Sequence, residues 1–146
     1  SSWQAVGGIG TIPVFSASNA SHQALTTGVL TKINFATEGF DTNSDFASST
    51  FTPTVAGKYL LCGSLGFATI GSASRITLAF YKNGVNNVQS MNHSGLDDSL
   101  YITYAAILDA DGSSDYFDIY GRQESGGDVN VYGVTSTFFA GFKIAE

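Results

Sequence analysis

Apolar residues recur at every second position along this chain, in short runs closed by Gly, Asn, Asp or Ser, and that alternation marks strands joined by turns. No stretch has a long helical candidate. From Tyr59 the positions Tyr59, Leu61, Leu65 and Phe67 are large and apolar, whereas Cys62, Ser64, Gly66 and Ala68 are small, which predicts a strand with a core face and a closely approached opposite face. A second strand is predicted over 75–82, with Ile76, Leu78 and Phe80 on one side, ending at Asn83-Gly84, a dipeptide suited to a type I′ hairpin turn. Leu100, Ile102, Tyr104, Ala106 and Leu108 alternate with Tyr101, Thr103, Ala105 and Ile107, so the longest predicted strand is apolar on both sides, and Asp111-Gly112 reverses the chain after it. Further strands are read over 12–17, 30–35, 50–54, 116–122, 128–134 and 136–145. The expected fold is all-β: a two-sheet antiparallel jelly-roll sandwich of about eight to ten strands. Residues 1–10 read as a Gly-rich connector and 11–146 as a single domain.

A sandwich of antiparallel sheets needs only its inner faces apolar, so a two-sided strand calls for a second partner surface. A subunit interface supplies one, and Tyr101, Tyr104, Tyr59 and Phe139 are the aromatics assigned to it.

Composition narrows the partners. Of 146 residues, 43% are hydrophobic and 12% charged, with 6 basic against 12 acidic side chains. A chain of this length buries roughly 70% of its unfolded surface. So acidic a chain cannot readily assemble the basic patch that phosphate contacts require, which argues against nucleic acid and against an anionic membrane. No apolar run is long enough to span a bilayer, so membrane insertion is not expected. The start at Ser1, without a methionine, reads as a processed or excised piece. The single cysteine, Cys62, excludes an intrachain disulfide and reads as a small buried hydrophobe.

The order of landmarks resembles the globular heads of the complement C-one-q and tumour necrosis factor-like superfamily. Phe15-Ser16-Ala17 is similar to the family's opening strand, and Val29-Leu30-Thr31-Lys32-Ile33-Asn34-Phe35 to its next strand. Phe40-Asp41 is similar to its aromatic-Asp pair, and Phe51 followed by Gly57-Lys58-Tyr59 to its Gly-x-Tyr strand start. Ser136-Thr137-Phe138-Phe139-Ala140-Gly141-Phe142 is similar to the closing strand, with one residue more between Ser and Gly. The resemblance runs over most of the chain. It implies a trimer in which one sheet of each subunit faces the threefold axis while loops and outer surfaces bind ligands. The cysteines and collagen-like stalk of the animal heads are not seen here. The Asn, Ser, Thr and Gly bias and the Tyr81-Lys82-Asn83-Gly84 hairpin look more like bacterial and bacteriophage members.

Candidate chemistry is sparse. His22 and His93 lie in polar segments without a nucleophile elbow, so no enzyme is expected. Two histidines and one cysteine do not suit zinc. Asp109, Asp111 and Asp115 crowd one turn and make it a weak candidate for calcium, but position twelve of the would-be loop is Tyr120 and an EF-hand is excluded; no cofactor is expected. Tyr120, Arg122, Gln123, Asn130 and Tyr132 combine aromatic, amide and guanidinium groups of the kind a glycan or receptor contacts. The segments 86–97 and 121–128 read as recognition loops beside them. The leading expectation is a non-enzymatic trimeric head for adhesion or receptor binding, extracellular or on a virion surface, at the tip of a bacteriophage tail fibre. The alternatives are a structural decoration or cement protein on a particle surface, and a secreted carbohydrate-binding or signalling module.

Overall fold

The computed structural model describes residues 12–146; the connector 1–10 and Trp3 lie outside the described residues. The strands, in chain order, are β1 (Val14–Ser18), β2 (Gln23–Leu25), β3 (Thr31–Lys32), β4 (Thr37–Asp41), β5 (Phe46–Ala47) and β6 (Thr50–Phe51). They continue with β7 (Gly57–Ile70), β8 (Arg75–Lys82), β9 (Val85–His93), β10 (Asp98–Ala110), β11 (Phe117–Gln123), β12 (Val129–Val131) and β13 (Phe138–Ala145). A 3-10 turn, Val134–Ser136, precedes β13. The thirteen strands among the described residues exceed the eight to ten expected because five of them are segments of two or three residues; eight have five or more.

One sheet runs β2-β12-β7-β13-β1-β4, with β10 on the other edge of β7; the second runs β5-β6-β11-β8-β9, with β3 also on β11. All the pairings are antiparallel. The longest strand is β7, one residue longer than β10, and it organises the first sheet because its two edges serve β10 on one side and β13 then β12 on the other.

Alternation explains the core. Tyr59, Leu61, Leu65 and Phe67 of β7, Ile76, Leu78 and Phe80 of β8, and Phe117 and Ile119 of β11 are fully enclosed between the sheets. Phe15 lies 4.2 Å from Phe51 and 5.2 Å from Phe46, both stacked, and meets Phe139 edge-on at 4.9 Å. Such aromatic pairs add about 0.5–1.5 kcal/mol beyond the area they bury. A Cβ on Gly141 would come 3.0 Å from the Phe15 ring and 3.0 Å from the Leu60 carbonyl, so β13 can lie against β1 and β7 only with glycine there. The hairpin at Asn83-Gly84 has φ of 54° and 77°, the two positive values of a type I′ turn.

Three expectations are corrected. Tyr59 and Phe139, assigned to a subunit interface, are wholly inside the sandwich; they share the parity of Leu61 and Gly141, which point inward. The Tyr59 hydroxyl donates to the Val55 carbonyl at 2.7 Å, and burial, with Asp45 and Glu146 nearby, pushes its pKa up to about 12. Residues 86–97, read as a loop, are mostly β9, a polar edge strand paired along its length with β8. Cys62 is only half-buried, on the outer face of the first sheet.

Candidate assembly face and binding surfaces

The outer face of the β1-β13-β7-β10 sheet follows from the register. Val14, Phe142, Leu60 and Ile107 stand in one row across four strands; Phe40, Ser16, Ala140, Cys62 and Ala105 form the next; Ser18, Phe138, Ser64 and Thr103 form a third. Tyr101 opposes Gly66 beyond them. Bulky residues stand proud at the margins, with Ile107 59%, Tyr101 53%, Phe40 52% and Phe142 43% exposed, while small side chains occupy the middle. The polar groups in the centre are matched to each other, since the Thr103 and Ser64 hydroxyls lie 3.1 Å apart. A surface of this kind, apolar, low in the middle and free of unsatisfied charge, is shaped to be covered by another surface. Burial raises the Cys62 thiol pKa, so it is held in the unreactive protonated form.

The two tyrosines assigned to this face from the sequence point opposite ways. Tyr101 is outward. Tyr104 has the parity of Ile102 and Leu108, and its ring stacks on Phe80 at 5.9 Å between the sheets. The residues that sequence reading left out are Leu60, Ile107 and Phe142; the alternation Phe138, Ala140, Phe142, Ile144 in β13 carried that signal.

The five expected ligand residues do not converge. Tyr120 and Arg122 lie on the outer face of the second sheet, where Tyr120 stacks on Tyr81 with ring centroids 3.9 Å apart. Arg122 bonds Glu124 at 2.5 Å, and Arg75 reaches the same carboxylate at 2.7 Å; the Arg75 hydrogen bond is the largest cause holding the Glu124 pKa below the usual range. Asn130 and Tyr132 belong to the other sheet or its margin: Asn130 is exposed in β12, and the Tyr132 hydroxyl is 2.8 Å from that of Ser99. Gln123 is completely enclosed. Its amide nitrogen donates to the carbonyls of Leu25 and Gly127, and its oxygen accepts from the Ser125 N–H and hydroxyl. The parity that sends Arg122 outward sends Gln123 in, so Gln123 pins the 124–127 turn to β2 and offers nothing to a ligand.

Gln123→Ala is expected to lower unfolding free energy by about 3 kcal/mol, because the Leu25 carbonyl and the Ser125 N–H lose their partner together and the Gly127 carbonyl keeps only the Ser125 hydroxyl. Urea denaturation measures it, and an unchanged midpoint refutes the structural role.

The acidic turn is occupied by its own neighbours. Asp109 pairs with Lys58 at 2.7 Å, and Asp115 pairs with Lys82 at 2.9 Å and takes the Asn83 amide at 2.7 Å. Asp111 accepts the Ser114 hydroxyl and the N–H groups of Ser113, Ser114 and Asp115. Among the described residues, no group of three or more His, Cys, Asp and Glu is placed to hold a metal. The Ser114 hydroxyl first, then the backbone N–H groups, holds the Asp111 carboxyl well below the usual carboxylate range; the pKa of Asp115 is lowered too, by Asn83 and then Lys82. A depressed folded-state pKa stabilises the fold above the unfolded value, and the contribution disappears as pH falls through the folded one. The melting temperature should therefore hold from neutral pH to about 5 and decline below about 4. Asp111→Ala should lower the plateau and shrink the decline; an identical pH profile in that variant would show that this turn is not responsible.

His22 accepts the Gly133 N–H through Nδ1 at 3.0 Å, and His93 is exposed at the end of β9. No described helix is long and apolar enough to cross a membrane.

No family model matches the sequence, and no curated protein does. Solved structures do match in shape. The globular domain of zebrafish complement 1qA protein superposes with a TM-score of 0.67 at 21% identity, over 92% of this chain and 98% of that one. Murine APRIL gives 0.68 at 11% identity, over 92% and 100%, and the Eiger TNF of S. frugiperda 0.66 at 11%, over 92% and 94%. Two antiparallel sheets, the two-sided strands β7 and β10 and these superpositions establish the fold as the jelly roll of the complement C-one-q and tumour necrosis factor-like globular heads.

Proposed function

We propose that this chain is a non-enzymatic, homotrimeric recognition head, working outside the cell or on a virion surface and needing no cofactor. The observation that carries the proposal is the outer face of the β1-β13-β7-β10 sheet, where Phe142, Leu60 and Ile107 form an apolar row beside the small residues Ala140, Cys62 and Ala105. A monomer gains nothing by exposing such a face, and three copies burying it around an axis remove it from water. That the fold is shared with the globular heads named above supports threefold assembly. The outer face of the second sheet then remains free, with the Tyr81 and Tyr120 stack and the Arg75, Arg122 and Glu124 group available to a cell-surface receptor or glycan. The Asn, Ser, Thr and Gly bias supports a bacteriophage source, and the free outer face of the second sheet favours the tip of a tail fibre over a cement role, since a cement protein needs no spare recognition surface. Multi-angle light scattering at micromolar concentration tests assembly: a mass three times that of the 15.3 kDa chain is expected, and a mass of one chain overturns the proposal.

A further inference from the structure

The 6 basic side chains of the protein are not spent alike. Lys32 pairs with Asp118, Lys58 with Asp109, Lys82 with Asp115 and Lys143 with Glu146, one carboxylate to each lysine. The two arginines share a single acid: Arg75 and Arg122 both reach Oε1 of Glu124, at 2.7 and 2.5 Å. In a chain of net charge -6, this is the place where cations outnumber the carboxylate they pair with. His93 adds to the same side. It stands opposite Arg75 in the β8–β9 register, and the charges acting on the Glu124 carboxylate are those of Arg122, Arg75 and His93, all basic.

The surplus is within reach of solvent. The side chains of Arg75 and Arg122 are 36% and 34% exposed, and His93 is exposed. A guanidinium carries five N–H donors, so one bond to Oε1 leaves most of them for another acceptor. The Nε of Arg122 is enclosed and is not one of these.

The neighbours on the outer face of the second sheet decide what carries the anion. Arg122 and Tyr120 are two residues apart on β11 and so share a face, where Tyr120 stacks on Tyr81. Thr77 continues the Arg122 row across to Met91, which stands exposed on β9. Tyr120, Ala79 and Gln89 form the next row. The Gln89 oxygen accepts the Asn86 amide at 2.7 Å, which leaves the exposed Gln89 nitrogen as a donor. Paired guanidiniums match a planar carboxylate, the tyrosine and thioether flank matches the C–H side of a ring, and an amide donor matches a hydroxyl. One surplus charge suits one anionic group per subunit, whereas a polyanion would meet the negative charge of the rest of the chain.

We infer that the outer face of the second sheet binds a carboxylated sugar residue of a glycan, its carboxylate on Arg75 and Arg122 and its ring beside Tyr120 and Met91. The inference rests on the reading of this face as the recognition surface and names its ligand.

The test is an NMR titration of the ¹⁵N-labelled protein with millimolar methyl glycosides of N-acetylneuraminic, glucuronic and galacturonic acid. Methyl glucoside is the neutral probe, and N-acetylaspartate is the acid without a ring. At least one acidic glycoside should shift the Arg75, Arg122 and Thr77 N–H signals saturably, and neither control should. Arg122→Gln should weaken that binding about tenfold to a hundredfold, the loss expected of a hydrogen bond to a charged group. Glu124→Gln frees both guanidiniums from their carboxylate and should tighten binding several-fold, a gain that no folding defect produces. Absence of saturable shifts with all three acidic glycosides overturns the inference. So does an equal response to either control, or an affinity unchanged in Arg122→Gln or not raised in Glu124→Gln. Every contact comes from one chain. A protein of single-chain mass that binds an acidic glycoside would therefore remove the trimer and leave this inference standing, and a trimer that binds none of the three would do the reverse.

Discussion

Ile107→Glu should sediment as a single chain at concentrations where the parent, on the proposed assembly, is expected to sediment as a trimer. Ile107 is more than half exposed in the isolated subunit, so a charge there changes the subunit's own stability by no more than about 0.5 kcal/mol. In the assembly it would bring three carboxylates into an apolar contact beside Leu60 and Phe142, and each unpaired buried charge costs several kcal/mol. Ile107→Val keeps the shape and should keep the mass. Analytical ultracentrifugation decides between them, and a stable trimer of the glutamate variant would place the contact on another face.

Phe139→Ala should act in the opposite sense, by unfolding the subunit. The ring packs among Phe15, Phe35, Phe46 and Phe80, at centroid distances of 4.9, 5.8, 6.0 and 6.0 Å, where both sheets meet. Truncating a fully enclosed phenylalanine costs about 3–5 kcal/mol, against a total stability on the order of 5–15 kcal/mol for a domain. Calorimetry should show the loss at any protein concentration. A variant that melted like the parent but lost its trimer would mean that Phe139 faces a neighbouring subunit after all.

How much of this was legible varies with how lopsided each strand is. In β8 the contrast between Ile76, Leu78 and Phe80 and their neighbours, closed by Asn83-Gly84, reproduces the observed Arg75–Lys82 residue for residue. β10 is apolar on both sides, so its parity carries no information about which face meets the core, and Tyr101 and Tyr104 could not be told apart. β9 was hidden for the opposite reason: an edge strand with Asn86, Asn87, Gln89 and Asn92 has little side-chain burial to advertise it and is held by its backbone ladder to β8. Gln123 was readable and was misread. Phe117 and Ile119 set the inward parity of β11, and position 123 shares it.

The pairing of β1 with β13 has a consequence for biosynthesis. Val14 lies opposite Phe142, so the first described strand of the domain waits for its last. While a ribosome is still translating β11 and β12, Phe142 and Ala140 do not yet exist beside Leu60 and Cys62, and the middle of the sheet that would meet its copies is a gap between β1 and β7. Neighbouring nascent chains on one message thus have no finished surface with which to join. In the proposed assembly, copies can join only once β13 of each has been made and has closed that gap.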